Sequence, residues 1–254
     1  MRTPACATVA ALALSTLAVP LAGPFTGPAE AATAVLGFAW ANGEGHLRIV
    51  PRSAARVTRQ GHVFHRLTTT SGAKELRLDY TKAAYGRVTV ACDLKETEGQ
   101  VAVDRQGLGR TRCAPGDLTT GLGRGPVPVR VEYQGGKAVR VNEILVTDWP
   151  ESRSARGTIT RIDDTTVVFA TGGKKLTLGY TYMTGFYRTT ARCGDGWLTG
   201  KPVNADKNGL GKKPCTWNYL TKALKANRHP VLVQVDYTPG VDSLDGVWEI
   251  YGDA

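Results

Sequence analysis

The chain has 254 residues and a formal net charge of +10, from 32 lysines and arginines against 22 aspartates and glutamates. With four histidines and no Gly-x-Ser-x-Gly, His-Glu-x-x-His or Gly-x-x-x-x-Gly-Lys stretch, it lacks the common signatures of serine hydrolases, zinc proteases and phosphate-binding loops. Residues 32–150 hold 17 basic against 11 acidic residues and 151–254 hold 14 against 10, so the charge belongs to the whole chain and not to a tail.

Residues 1–31 read as a cleaved signal peptide. Arg2 is a basic start, and Ala7 to Leu21 is an apolar run too short to span a bilayer. Ala29-Glu30-Ala31 has the small-x-small form of a cleavage site, with Ala32-Thr33-Ala34 a second. The alternative is a retained anchor. Cleavage removes Cys6 and leaves a secreted chain with four cysteines. Residues 32–55 are expected to be an N-terminal extension: a strand over Val35–Trp40, a turn at Asn42–Gly45, a weak strand over His46–Val50, then Pro51. It is read as an extra hairpin or a loose arm.

An internal duplication organises the rest. Asp104-Arg105-Gln106-Gly107-Leu108-Gly109-Arg110-Thr111-Arg112-Cys113 returns as Asp206-Lys207-Asn208-Gly209-Leu210-Gly211-Lys212-Lys213-Pro214-Cys215. Cys92 and Cys193 precede the two copies, so each copy owns one bridge, Cys92–Cys113 and Cys193–Cys215. Closing a loop of ~20 residues stabilises by roughly 3 kcal/mol. The predicted units are 56–147 and 156–254, joined by a linker at 148–155, with the duplication starting at Val57-Thr58-Arg59 and Ile159-Thr160-Arg161.

Two strands follow that start in each unit, and the sharper of them has one buried face, Leu76-Arg77-Leu78-Asp79-Tyr80 or Leu176-Thr177-Leu178-Gly179-Tyr180. A strand running into the first cysteine follows. After the second cysteine, Leu220, Ala223 and Leu224 share the inner face of a short helix capped by Asn218; Gly121, Gly123 and Gly125 make the first copy a poorer helix. Two strands close each unit, Val127–Tyr133 with Val141–Ile144, and Val231–Tyr237 with Val247–Ile250. Pro128 points to an edge position. The predicted fold is all-β: two tandem barrels of the oligonucleotide/oligosaccharide-binding type, or two sandwiches, each with one internal disulfide and at most a short helix.

Function is less legible. No cofactor or metal is expected: there is no Cys-x-x-Cys, and His62 and His65 fall on opposite faces of a strand. Asp-x-Asn-Gly at 206–209 is read as a tight turn rather than as a calcium loop. The acids on the closing strands, Glu132, Glu143, Asp236 and Glu249, offer a hydrolase reading, but pairing with Arg87 and Arg188 is the simpler expectation. Tyr180 and Trp248 are expected in the core. The candidate ligand set is Trp197, Trp217, Tyr182 and Tyr187, with Lys212 and Lys213: rings to stack on sugars or bases, cations for anionic groups. The expected protein is thus a secreted, non-enzymatic binder of an anionic or carbohydrate ligand, with an acidic polysaccharide, wall polymer or nucleic acid as partners open to its charge. The alternative is a protease inhibitor presenting Arg112 or Lys213 beside a disulfide.

Overall fold

Alternating apolar residues decide the architecture: where every second side chain must leave water, a sheet closes on itself. The computed structural model describes residues 32–251 apart from 98 and 199–200; the signal-peptide reading, and Cys6 with it, lies outside these residues. The first half contains β1 (Thr33–Ala41), β2 (His46–Ile49), β3 (Arg52–Arg59), β4 (His62–Thr69), β5 (Leu76–Asp79), β6 (Ala84–Arg87), β7 (Thr111–Cys113), α1 (Pro115–Arg124), β8 (Val127–Gln134) and β9 (Lys137–Glu143). The second contains β10 (Arg153–Arg161), β11 (Thr166–Thr171), β12 (Lys174–Gly179), β13 (Gly185–Arg188), β14 (Lys213–Cys215), α2 (Trp217–Ala226), β15 (Val231–Thr238) and β16 (Ser243–Glu249).

In the first half β1 pairs with β2, β2 with β5, β5 in parallel with β9, β9 with β8, and β8 back with β1. The second half repeats the circuit as β10, β11, β12, β16, β15 and β10, again with one parallel step, β12 to β16. Each half is therefore a closed five-stranded barrel of the oligonucleotide/oligosaccharide-binding type, not a sandwich. The disulfides are Cys92–Cys113 and Cys193–Cys215, one per barrel, both with Cα atoms 5.7 Å apart.

The predicted alternations fill the barrels. Leu78, Tyr80, Val129, Val131 and Val141 are buried in the first; Leu178, Tyr180, Val233, Val235 and Val247 are buried in the second. A helix plugs each barrel, through Leu118 and Leu122 or through Leu220 and Leu224. Burying each leucine contributes about 1.5–3 kcal/mol. The buried tyrosines satisfy their hydroxyls on those helices, Tyr80 with Thr119 at 2.9 Å and Tyr180 with Thr221 at 3.0 Å. The glycines of α1 do not shorten it: both helices span ten residues. Pro115 starts α1, and Asp117 accepts a bond from the Ala114 N–H at 2.9 Å. The N-cap of α2 is Thr216, not Asn218.

The structure revises how the copies align. Residues 33–49 are no addition: β1 and β2 are the first two barrel strands. The true insertion is the β3–β4 hairpin, which turns at Gln60-Gly61 with φ of 49° and 78° and has no counterpart among the described residues of the second half. The counterpart of β10 is β1. Gly37 faces Val129 as Gly157 faces Val233. Both glycines lie where a neighbouring backbone crosses; a Cβ would meet the Val50 carbonyl at 2.7 Å or the Ala170 carbonyl at 2.2 Å. Pro128 is not on an edge either. It is the second residue of β8, which is paired on both sides, and proline is tolerated near a strand's start.

The barrels pack on each other through the outer side of β1 and β2. The Trp40 indole donates to the Val241 carbonyl at 3.0 Å, and Arg52 pairs with Asp242 at 3.4 Å. Gly179 lies so close that a Cβ would stand 2.5 Å from the Arg48 guanidinium and 2.7 Å from Trp40. The stretch expected to be a linker is docked as well: Trp149 meets Phe38 edge-on at 5.6 Å, Pro150 lies over Gly240, and β10 already begins at Arg153.

The inserted hairpin is held by His65, which is 3% exposed, exchanges backbone bonds with Leu145 and Thr147, and has no partner for Nδ1. Burial, with Arg56 nearby, lowers its pKa below the ordinary 6.5; the Leu145 carbonyl and Asp104 oppose this only in part. A depressed folded pKa means that the unfolded chain takes up the proton first. Stability is therefore intact above pH 6.5 and falls as pH drops below it. Urea midpoints measured from pH 8 to pH 5 are expected to decline for the wild type and to flatten for His65→Gln.

Candidate functional site

The repeated Asp-to-Cys segment is structural. The Asp104 carboxylate accepts from the N–H groups of Gln106 and Leu108 at 2.7 and 2.9 Å; Asp206 does the same for Asn208 and Leu210 at 2.7 and 2.8 Å. Gly109 and Gly211 then pass so close to Arg87 and Arg188 that a Cβ would lie 2.5–2.6 Å from their carbonyl carbons. The tight-turn reading of Asp206 thus has its geometry. Among the described residues, Cys92, Cys113 and Asp117 form a metal-like grouping, but its two sulfurs are bonded to each other.

Beneath this segment lies a duplicated ion pair. Arg188 and Glu249 are fully buried and meet at 3.1 Å; Arg87 and Glu143 meet at 3.1 Å with side chains about a tenth exposed. Arg188 also gathers the carbonyls of Cys193, Asp195 and Gly196, and Arg87 those of Cys92 and Leu94. Each arginine pins its disulfide loop to its barrel. Tyr85 donates to Glu143, and burial, then the Glu143 charge, raises its phenol far above the usual value, which keeps it a neutral donor. The other closing-strand acids are engaged too, Glu132 with Arg130 and Asp236 with the Ser154 hydroxyl.

Outward from these pairs, the same ladder position carries different chemistry in each barrel. In the second, Tyr187 stands opposite Pro214 and Trp248. Its ring stacks on Trp248 at 4.9 Å and 8°, and the two rings lie over Gly246 and Gly185. Trp248 is therefore half-buried on the outer face and not in the core. In the first barrel, Gly86 stands opposite Arg112 and Asn142, and Ala84 opposite Arg140. With no stacked pair of rings to fill it, the face opens into a cleft of about 510 Å³ whose cations are Arg110, Arg112 and Arg140. Arg110 and Arg112 are exposed and make no ion pair with a described residue; Arg140 has Glu132 at 3.9 Å, shared with Arg130.

The predicted ligand set does not converge. Trp197 and Trp217 pack, partly buried, against the second core, and Trp197 stacks on Phe186 at 5.9 Å with its indole nitrogen buried. Tyr187 neighbours the strand Lys213–Cys215, in which Lys213 is half-buried opposite Arg188. Lys212 is exposed; Tyr182 is 51% exposed and borders Gly123 of the first barrel. Arg110 and Arg140 went unseen in the sequence because β6, β7 and β9 meet only in the fold. Comparing the two copies position by position was the available signal.

Among the described residues, no helix is long and apolar enough to cross a membrane. The chain matches no family model, and neither curated proteins nor solved structures give a significant match.

Proposed function

We propose that the protein is an exported, non-enzymatic binder of an anionic extracellular or wall polymer, held in the arginine-lined cleft of the first barrel. The observation that carries this reading is the divergence of one duplicated face. Where the second barrel closes the ladder with stacked rings, the first leaves it open and surrounds it with arginines. Guanidinium groups pair with phosphate, sulfate or carboxylate in a planar fork that lysine lacks. The first half holds 13 of the 19 arginines found in residues 32–254. Two disulfides and the N-terminal apolar run fit an oxidising, extracellular compartment.

The inhibitor alternative has no observation in its favour. Arg112 and Lys213 sit inside three-residue strands paired to β6 and β13, so the backbone an inhibitor would extend into a protease is already committed.

Substituting Arg110, Arg112 and Arg140 together by alanine is expected to weaken retention on an acidic polysaccharide matrix by roughly 3- to 150-fold, since exposed charge contacts are worth ~0.2–1 kcal/mol apiece. Wild-type retention should fall with salt, more steeply than that of the variant. Tyr187→Ala should leave it unchanged. Salt-independent retention, or an unaffected triple variant, would sink the reading.

A further inference from the structure

A second cavity, of about 460 Å³, lies between the barrels. The first barrel contributes Lys95 from the disulfide loop, Arg124 from the end of α1, and the buried Arg87–Glu143 pair, whose opposite charges offset each other; Trp149, from the connecting stretch, adds a ring that is 52% exposed. The second barrel contributes Thr181 and Thr184 from the β12–β13 turn, then Thr238, Ser243 and Asp245 around the β15–β16 turn, together with Met183, which is 67% exposed. Neither Lys95 nor the Arg124 guanidinium has a carboxylate partner among the described residues. Arg124 is fixed at its backbone, where its carbonyl accepts from Thr181 at 3.1 Å.

Accounting for protons on the second-barrel side defines what it can bind. A hydroxyl has one proton to give and two lone pairs. Thr181 has given its proton to the Arg124 carbonyl and Thr184 to the Leu244 carbonyl at 2.8 Å. Thr238 and Ser243 have given theirs to the Asp245 carboxylate at 2.7 and 2.6 Å. Carbonyls and carboxylates only accept, so these directions are forced. Thr181 and Thr184 already accept from the N–H groups of Met183 and Thr181, so the side chains of this wall meet an incoming ligand as acceptors through the lone pairs that remain, while Lys95 and Arg124 offer only donors and positive charge. A ligand that satisfies both must carry hydroxyl donors towards one barrel and an anionic group towards the other. The ring of Trp149 and the thioether of Met183 would lie against its C–H surface.

We infer that the inter-barrel cavity is a binding site for a polyhydroxylated anion, either a sugar acid or a polyol phosphate. The site is separate from the arginine cleft and uses none of its residues. Its volume suits one small ligand or one unit of a chain, and clefts between domains are where such ligands commonly lodge.

The test is calorimetric titration of the mature protein with glucuronate and with glycerol phosphate, the two sources of that chemistry, beside glucose and inorganic phosphate as controls. Saturable binding of either hydroxylated anion, at least about tenfold tighter than both controls (~1.4 kcal/mol), is the expected result, and the preferred one names the anionic group. Lys95→Gln with Arg124→Gln should remove that preference with the urea midpoint unchanged. Glucose binding as tightly as glucuronate, binding of neither anion, or a double variant that binds as the wild type does would overturn the inference. The Arg110/Arg112/Arg140 triple variant should bind the small anion normally. If it alone loses binding, the ligand sits in the arginine cleft, and this inference fails while the proposed function stands.

Discussion

Glu249→Gln is expected to cost the second barrel roughly 3–5 kcal/mol, as removal of one partner from a buried ion pair generally does. Both carboxylate oxygens are committed: one accepts from Arg188 at 3.1 Å and the Leu198 N–H at 2.8 Å, the other from the Thr189 N–H and hydroxyl at 2.9 and 3.1 Å. A glutamine keeps the shape but turns an NH2 group towards a set of donors. It also leaves the Arg188 charge fully buried without its counter-ion. That is a large share of the 5–15 kcal/mol that usually holds a domain together. Glu143→Gln should cost less, because its pair with Arg87 has side chains 9% and 11% exposed, and water can repair part of the loss. Urea denaturation of the two variants reads the difference. Equal midpoints for Glu249→Gln and wild type would remove the ion pair from its role as the pin of the disulfide loop.

The same pin explains what could and could not be read from the chain. Periodicity is local, so Leu176-Thr177-Leu178 and the alternating valines of β8 and β15 announce their buried faces. The duplicated Asp-to-Cys segment likewise assigns each disulfide to its own half. Trp197 misleads for a physical reason. The glycines just before the ring, Gly194 and Gly196, suggest exposure, yet Arg188 draws in the carbonyls of Cys193, Asp195 and Gly196, and the indole is folded onto Phe186. The alignment of the copies slipped at 32–55 because an inserted hairpin separates β2 from β5, and its Val57-Thr58-Arg59 imitates Ile159-Thr160-Arg161 of the true first strand. Both clefts depend on residues brought together by barrel closure or by barrel packing. Gly86, Arg112 and Arg140 share one face only because β6 pairs with β7 on one side and with β9 on the other.

Cys193→Ala with Cys215→Ala should lower stability by roughly 3 kcal/mol, the chain-entropy value for a loop of this size; the bridge spans 22 residues. The loss arises chiefly in the unfolded state, which gains freedom when the crosslink goes. In the folded state Arg188 still holds three loop carbonyls, so the barrel is expected to fold with its near-ultraviolet circular dichroism retained. Cys92→Ala with Cys113→Ala should cost a similar amount, because its bridge spans 21 residues, but should leave a looser loop. Among the described residues Arg87 reaches two carbonyls there, those of Cys92 and Leu94. Amide exchange distinguishes the two cases: protection across 193–197 should survive loss of its bridge better than protection across 92–95. Had the bridges been what orders these loops, both segments would exchange freely once the sulfurs are gone, and the buried arginines would be reduced to passengers. The expected asymmetry follows from a difference of one hydrogen bond and of complete against nearly complete burial, which is the scale on which two copies of one fold come to differ in rigidity.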